Sequence, residues 1–308
     1  MVRGSFSSIA RSMSNRSRLF PALALLALLL PFASARAPAG ERPAADPAVE
    51  ARVADLLSRM SLEEKVGQMF LGGWSPQFDD KEIVDGAIGI LSNTDEVANV
   101  IAADRRARSV RHGIPLIFSR DIIHGYRTLF PMPLGIAATF DEAAMETAAL
   151  HTAKEGSAQG LDLNLGPMLD LSRDARWGRV VEGPGEDPFL ARRFAAAAVR
   201  GLKAGGMAAT LKHFVGYGAA ESGRDYNAVD LSESRLRDLY LPPFKAGIDA
   251  GAQVVMAAFN TLNGVPGTAN PHTLTDILRH DWGFDGIVMS DWDAVRELVA
   301  HGVAADER

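Results

Sequence analysis

The chain has 308 residues, 47% hydrophobic and 23% charged, with a formal net charge of −6. That content supports one large core or two small ones and excludes a disordered chain or a coiled coil. Without the arginines of the first 35 residues (Arg3, Arg11, Arg16 and Arg18), Lys plus Arg falls from 32 to 28 against 38 acids, a balance of −10. Such an acidic body repels phosphate backbones, so no nucleic-acid partner is expected and a neutral substrate suits it better. The lack of cysteine excludes disulfides, thiolate-bound zinc, iron–sulfur clusters and cysteine nucleophiles.

Residues 1–35 have the order of a secretory signal peptide: an Arg-rich start, the apolar run Ala22 to Leu30, then Ala33-Ser34-Ala35 as a small-residue cleavage site. The run is too short to span a bilayer well. A buried N-terminal helix is the alternative, but the charge asymmetry and the Pro/Ala-rich stretch that follows favour export. The mature chain is then expected in the periplasm or outside the cell, without a membrane span. Residues 36–47 are expected as a flexible linker and 48–308 as the globular domain.

A helix is predicted first, with Val53, Leu56, Leu57 and Met60 on one face. Ser61-Leu62-Glu63-Glu64 is a capping box that opens a second helix or turn. Short apolar runs then alternate with helical stretches. The runs are 67–71, 88–91, 114–118, 161–165, 207–211, 253–259 and 286–289; the clearest helical patterns are 141–159, 188–204 and 233–250. Runs apolar on both faces and separated by helices predict an α/β fold with parallel strands buried on both sides. The choice lies between an open doubly wound sheet and a (β/α)8 barrel. Polar groups follow several strands (Ser119-Arg120-Asp121, Lys212-His213, Asn260, Ser290-Asp291-Trp292), which favours a barrel with its site at one rim. No GxGxxG follows the first strand. Seven strand units are expected, so the barrel is read as C-terminally truncated.

The segment Gly283 to Trp292 reads as turn, buried strand, then a carboxylate beside an indole. A carboxylate there suits attack on an anomeric carbon, and an aromatic beside it can stack on a sugar face. Asp291 as the cap of a following helix is the competing reading. Lys212-His213 equally fits a structural ion pair, Asp121 a surface pair with Arg120, and Arg176 and Arg179 packing around Trp177. His112, His151, His272, His280 and His301 lack metal-ligand spacing and read as loop or helix-surface residues. His124 lies near Asp121 as a rim support. Glu182, Glu186, Glu221 and Asp225 are candidates to support the site from polar loops.

From about Val53 onward the chain resembles the N-terminal barrel of glycoside hydrolase family 3, closest to secreted bacterial β-glucosidases. Motifs that agree in order include Met60 to Met69, Arg120-Asp121-Ile122-Ile123-His124-Gly125, Phe130 to Gly135, Asp174-Ala175-Arg176-Trp177-Gly178-Arg179, Gly185-Glu186-Asp187-Pro188, Leu211-Lys212-His213-Phe214, Phe259 to Gly264 and Ser290-Asp291-Trp292. The resemblance implies a retaining, exo-acting β-glycosidase that releases terminal β-D-glucosyl residues through a glycosyl-aspartate. Asp291 stands at the nucleophile position and Trp292 at a flanking aromatic. Lys212, His213, Arg179 and Asp121 stand at positions that hold sugar hydroxyls, with Met256 and Phe259 on the apolar wall.

The expected substrate is a β-linked oligosaccharide or glucoside, with no metal or organic cofactor. The acid/base is implied to come from a following α/β sandwich domain, so the 308 residues alone are expected to be inactive. The branch that carries its acid/base in a His-containing barrel loop does not fit, because Val215 and Gly216 follow Phe214 where that branch has Pro-Gly. The alternatives are a sugar-binding fragment, a phosphorylase or β-xylosidase of the same family, and an aldolase using Lys212 as a Schiff base.

Overall fold

The structure is a computed structural model, and it describes residues 46–74, 80–94 and 96–306. The expected leader lies outside the described residues, as does all but the end of the expected linker. The described residues form one compact unit. No described helix is long and apolar enough to cross a membrane.

The first helix, α1 (Pro47–Arg59), starts where Asp46 accepts a hydrogen bond from the Ala48 N–H and Pro47 fills a position that needs no donor. The predicted capping box is present at α2 (Leu62–Gly67): the Glu64 N–H donates to Ser61 Oγ at 3.2 Å, and the Ser61 N–H donates to the Glu64 carboxylate at 2.8 Å. That cap carries the helix through Gly67, so the first strand begins later than its apolar run.

Seven parallel strands form one sheet: β1 (Leu71–Gly73), β2 (Ile90–Ser92), β3 (Ile117–Arg120), β4 (Leu163–Asn164), β5 (Ala208–Phe214), β6 (Val254–Ala257) and, after a hairpin of β7 (Thr261–Leu262) and β8 (Val265–Pro266), β9 (Ile287–Met289). The order β1-β2-β3-β4-β5-β6-β9 follows the chain, and the sheet curls into an open barrel. This is the expected α/β architecture. Most strands start one to four residues after the predicted run. The reason is that Ile88, Leu161 and Met207, at the heads of their runs, and Leu116, inside its run, are already buried before pairing begins.

The helices α3 (Lys81–Val84), α4 (Val97–Ser109), α5 (Pro133–Ala137), α6 (Glu142–Ala158) and α7 (Pro188–Ala204) lie between strands. After β5, α8 (Glu233–Arg235) runs through a π-helical turn (Leu236–Tyr240) into α9 (Leu241–Asp249), and α10 (Glu297–Ala300) follows β9. Pro242 and Pro243 lack N–H groups and interrupt the helical ladder next to that turn.

Strand alternation sorts the side chains. Leu163, Leu165, Val254 and Met256, with Ala208 and Met289, cluster on the inner face. Leu91, Phe118, Leu211 and Val255 point the other way into the main core beneath the helices. Lys212 lies four residues beyond Ala208 along β5 and therefore belongs to the inner face.

Helices α6 and α7 touch closely because α7 carries Gly201. A Cβ there would lie 2.3 Å from the Glu146 carbonyl oxygen and 2.7 Å from Ala149 Cβ. Gly201→Ala is expected to destabilise the chain by about 1–3 kcal/mol through overpacking. Urea unfolding will show it as a lower midpoint at an unchanged slope.

Candidate active site

The polar residues converge at the rim: Lys212 and His213 lie near the C-terminal end of β5, and Asp121 and Asp291 lie just beyond the ends of β3 and β9. Strand β5 carries a register irregularity between Leu211 and Phe214. A bulge of this kind re-aims side chains, and Lys212 and His213, though consecutive, both face the rim partners. Lys212 Nζ donates to both oxygens of Asp121, at 2.9 and 2.8 Å. The lysine is buried, whereas 48% of the Asp121 side chain remains open to solvent.

The Asp121–Arg120 surface pair is not formed, because Lys212 takes the carboxylate while Arg120 donates to the Thr94 carbonyl and lies over the Tyr126 ring. His213 turns to different carboxylates from its neighbour Lys212. Its Nδ1 lies 2.8 Å from Asp170 Oδ2, its backbone N–H donates to the same oxygen at 3.0 Å, and its Nε2 lies 3.4 Å from Asp291 Oδ2.

Asp291 follows β9, and its Oδ1 accepts the Trp292 N–H at 2.7 Å. Burial raises the Asp291 pKa; His213, the Trp292 N–H, Lys212 and Arg179 pull the other way without cancelling it. The Arg179 guanidinium donates to both Glu182 oxygens, at 2.8 and 2.9 Å, and stacks 5.6 Å from the centre of the Tyr217 ring. Burial works against the Arg179 charge, but the Glu182 pairing outweighs it and raises the pKa. Glu182 is likewise half-buried, and Arg179 overcomes its desolvation and lowers its pKa.

Trp177 and Tyr217 form the wall behind these charges. Trp177 Nε1 and Tyr217 Oη both donate to Asp225 Oδ1, at 2.9 and 2.5 Å. The Tyr217 ring meets His213 and Trp177 edge-on, each at 5.2 Å. Phe259 packs against Tyr226 at 5.1 Å and Tyr217 at 6.4 Å. Met256 lies lower, in the inner-face cluster. Trp292 is 71% exposed and leans over the end of β1, where its ring would touch a Cβ at Gly73 at 3.7 Å.

The site thus brings together Asp121, Arg179, Lys212, His213 and Asp291, with Phe259 on its wall; Met256 lies beneath it and Trp292 at its edge. The supporting candidates divide. Glu182 and Asp225 hold Arg179, Trp177 and Tyr217, whereas the Glu221 carbonyl serves a local turn by accepting from Asn227 Nδ2. Asp170 and Tyr217 escaped the sequence reading. Asp170 sits among apolar residues with no spacing signal, although it falls just upstream of the motif that begins at Asp174. His112 lies in a turn, within the loop-or-surface reading, but its side chain is only 8% exposed and lies 3.1 Å from Glu64, which the capping box holds in place. Among the described residues no group of three or more His, Cys, Asp or Glu could hold a metal.

A barrel rim with a largely buried carboxylate facing a lysine, a histidine and an arginine can both donate to and accept from hydroxyl groups. Residues 52–308 match the glycosyl hydrolase family 3 N terminal domain, and the chain belongs to that family. It is 41% identical over 278 residues to a periplasmic β-glucosidase of Salmonella typhimurium, covering 87% of this chain and 36% of the relative. A β-xylosidase of Formosa agariphila is 34% identical over 273 residues, covering 85% and 34%. The crystal structure of a Listeria innocua β-glucosidase in complex with isofagomine superposes with a TM-score of 0.78 at 38% identity, covering 83% of this chain and 38% of that one. The chain therefore spans little more than a third of the length of these relatives.

Proposed function

We propose that the protein is a retaining, exo-acting β-glycosidase of the β-glucosidase type, exported to the periplasm or beyond, with Asp291 as nucleophile. The observation that carries this reading is the Asp291 carboxylate, buried at a barrel strand end and faced by His213, Lys212 and Arg179. Three cationic or protonatable groups favour the ionised carboxylate that attack requires. Asp121, held by Lys212 yet half open, is placed to accept from two neighbouring sugar hydroxyls. The β-glucosidases among the relatives support the same reading.

In the proposed reaction Asp291 Oδ2 forms a bond to the anomeric carbon as the bond to the leaving oxygen breaks. A second carboxyl group protonates that oxygen. Water, deprotonated by the same group, then cleaves the glycosyl ester. The second group must stand ~5–5.5 Å from the nucleophile. Asp121, Asp170 and Glu182 are engaged with Lys212, His213 and Arg179. We assign the proton donor to a further domain, as the family resemblance implies, so the 308 residues alone are expected to hydrolyse little.

The test is a 2-fluoro-β-glucosyl substrate with a good leaving group, offered to a protein of the relatives' full length. The expected result is one covalent hexosyl adduct, on the peptide that carries Asp291. Aryl β-D-glucoside and β-D-xyloside assayed side by side will rank the two sugars, a comparison the β-xylosidase relatives make necessary. An adduct on another carboxylate, or a Lys212 adduct trapped by reductant, overturns the assignment.

A further inference from the structure

Asp170 has no role in the reaction just described, yet it is the most deeply buried carboxylate at the rim, with its side chain 0% exposed. One of its oxygens, Oδ2, meets two hydrogens of the same residue: the backbone N–H of His213 at 3.0 Å and the ring Nδ1 at 2.8 Å. A carboxylate oxygen that receives both groups is an acceptor, so Nδ1 must carry its proton. The other ring nitrogen, Nε2, points to Asp291 Oδ2 at 3.4 Å. That separation is too long for a strong hydrogen bond and leaves Nε2 open to a third group.

We infer that Asp170 is a positioning residue that locks His213 in the Nδ1-protonated form, so that Nε2 is the atom shown to Asp291 and to a sugar hydroxyl. This rests on the glycosidase reading only for the identity of the sugar; the lock itself is a property of the chain.

The chemical consequence follows from the two forms that remain. Neutral His213 presents a lone pair at Nε2, which accepts from a sugar hydroxyl. The imidazolium presents an N–H, which donates to Asp291 or to a hydroxyl oxygen. The third form, neutral with the proton on Nε2, is excluded by Asp170. Free imidazole side chains do not have this restriction, so the histidine alone would not enforce it.

The surroundings are consistent with a fixed ring. Tyr217 packs edge-on against it at 5.2 Å, and Asp225 anchors the Tyr217 hydroxyl in turn. Lys212, held by Asp121, and Arg179, held by Glu182, are the other charged groups facing Asp291.

The experiment is nitrogen NMR of the 308-residue chain labelled at histidine ring nitrogens, without sugar and with pH raised until the His213 ring reports as neutral, His213 being assigned by its absence in His213→Asn. The expected result is a neutral His213 with its proton on Nδ1. Asp170→Ala is expected to release it to the Nε2-protonated form or a mixture. In the full-length enzyme the same change should raise KM for an aryl β-D-glucoside by roughly 10-fold, the scale of losing one hydrogen bond to the substrate.

A wild-type His213 protonated on Nε2 overturns the inference, and this reading needs no variant to fold. A folded Asp170→Ala chain with its tautomer unchanged overturns it as well, because a purely structural Asp170 would alter stability and not the tautomer. Failure of the glycosidase reading would appear separately, as an Asp291 that takes no label.

Discussion

Asp291→Ala is expected to lower kcat on aryl β-D-glucosides by about 10⁴-fold or more in a protein of the relatives' full length, as loss of an attacking group does elsewhere. Glucose binding should survive, because the Asp121–Lys212 and Arg179–Glu182 pairs do not depend on Asp291. Competition between glucose and substrate in the parent, beside calorimetry on the variant, separates the two effects. A variant that keeps hydrolysing at a tenth of the parental rate would end the assignment.

The same carboxylate carries a second signature, in stability. Burial raises its folded pKa above the unfolded value of about 3.9. A carboxyl shifted this way holds its proton more readily when folded. Its contribution to stability is most favourable below about pH 4 and is lost as pH rises through the folded value. Asp291→Asn keeps the shape and removes that loss. The variant is expected to melt a few degrees above the parent at pH 7, with the gap closing as pH falls towards 4. Scanning calorimetry across that range provides the check. A variant that melts lower at pH 7 would mean that the attraction of His213, Lys212 and Arg179 outweighs burial. Function and stability thus pull in opposite directions at this residue, as they do wherever a charged nucleophile is held away from water.

The barrel was legible because its signal is repeated. Each strand is a short run apolar on both faces, and α7 spans the predicted residues Pro188 to Ala204. Strand starts were less legible, since burial of Ile88 or Met207 precedes pairing and looks the same in sequence. The hairpin after β6 was overlooked although its turn is the strongest of local signals: Asn263 and Gly264 both have positive φ, at 51° and 82°, as a type I′ turn requires. Its strands are only two residues each, too short to show alternation.

At the site, Asp121, Lys212, His213 and Asp291 came from motifs, but Asp170 did not, and neither did the pairings. Asp121 reaches Lys212 across 91 positions and Asp170 reaches His213 across 43. Those pairings are made by the curl of the sheet, which brings the ends of β3 and β5 and the loop after β4 together, and by the irregularity in β5. No local rule of spacing encodes them. A purely structural ion-pair role for Lys212 and His213 is the competing reading from sequence, and each does pair with a carboxylate. The two side chains turn to different carboxylates, Lys212 to Asp121 and His213 to Asp170.

Lys212→Met gives the second large effect and tests whether that lysine serves structure or substrate. Methionine matches the buried stem in length and fills the inner-face space without a charge. The variant loses both bonds to Asp121. Asp121 is 48% exposed, so water solvates the carboxylate once the lysine is gone, and little stability should be lost. Glu182 provides the contrast. Removing it strands the half-buried Arg179 guanidinium without its two acceptors, and an uncompensated charge of that kind is destabilising. Glu182→Ala is therefore expected to melt well below Lys212→Met. In catalysis the ranking is expected to reverse. Lys212 fixes Asp121 for the sugar and faces Asp291, so its loss should lower kcat/KM by about 10²–10³-fold, the scale for removing one preorganised donor. Melting curves for both variants, beside their kinetics in a protein of the relatives' full length, decide the matter. A Lys212→Met variant that loses stability in proportion to activity would place the lysine in the scaffold and leave Asp121 as the sugar contact on its own.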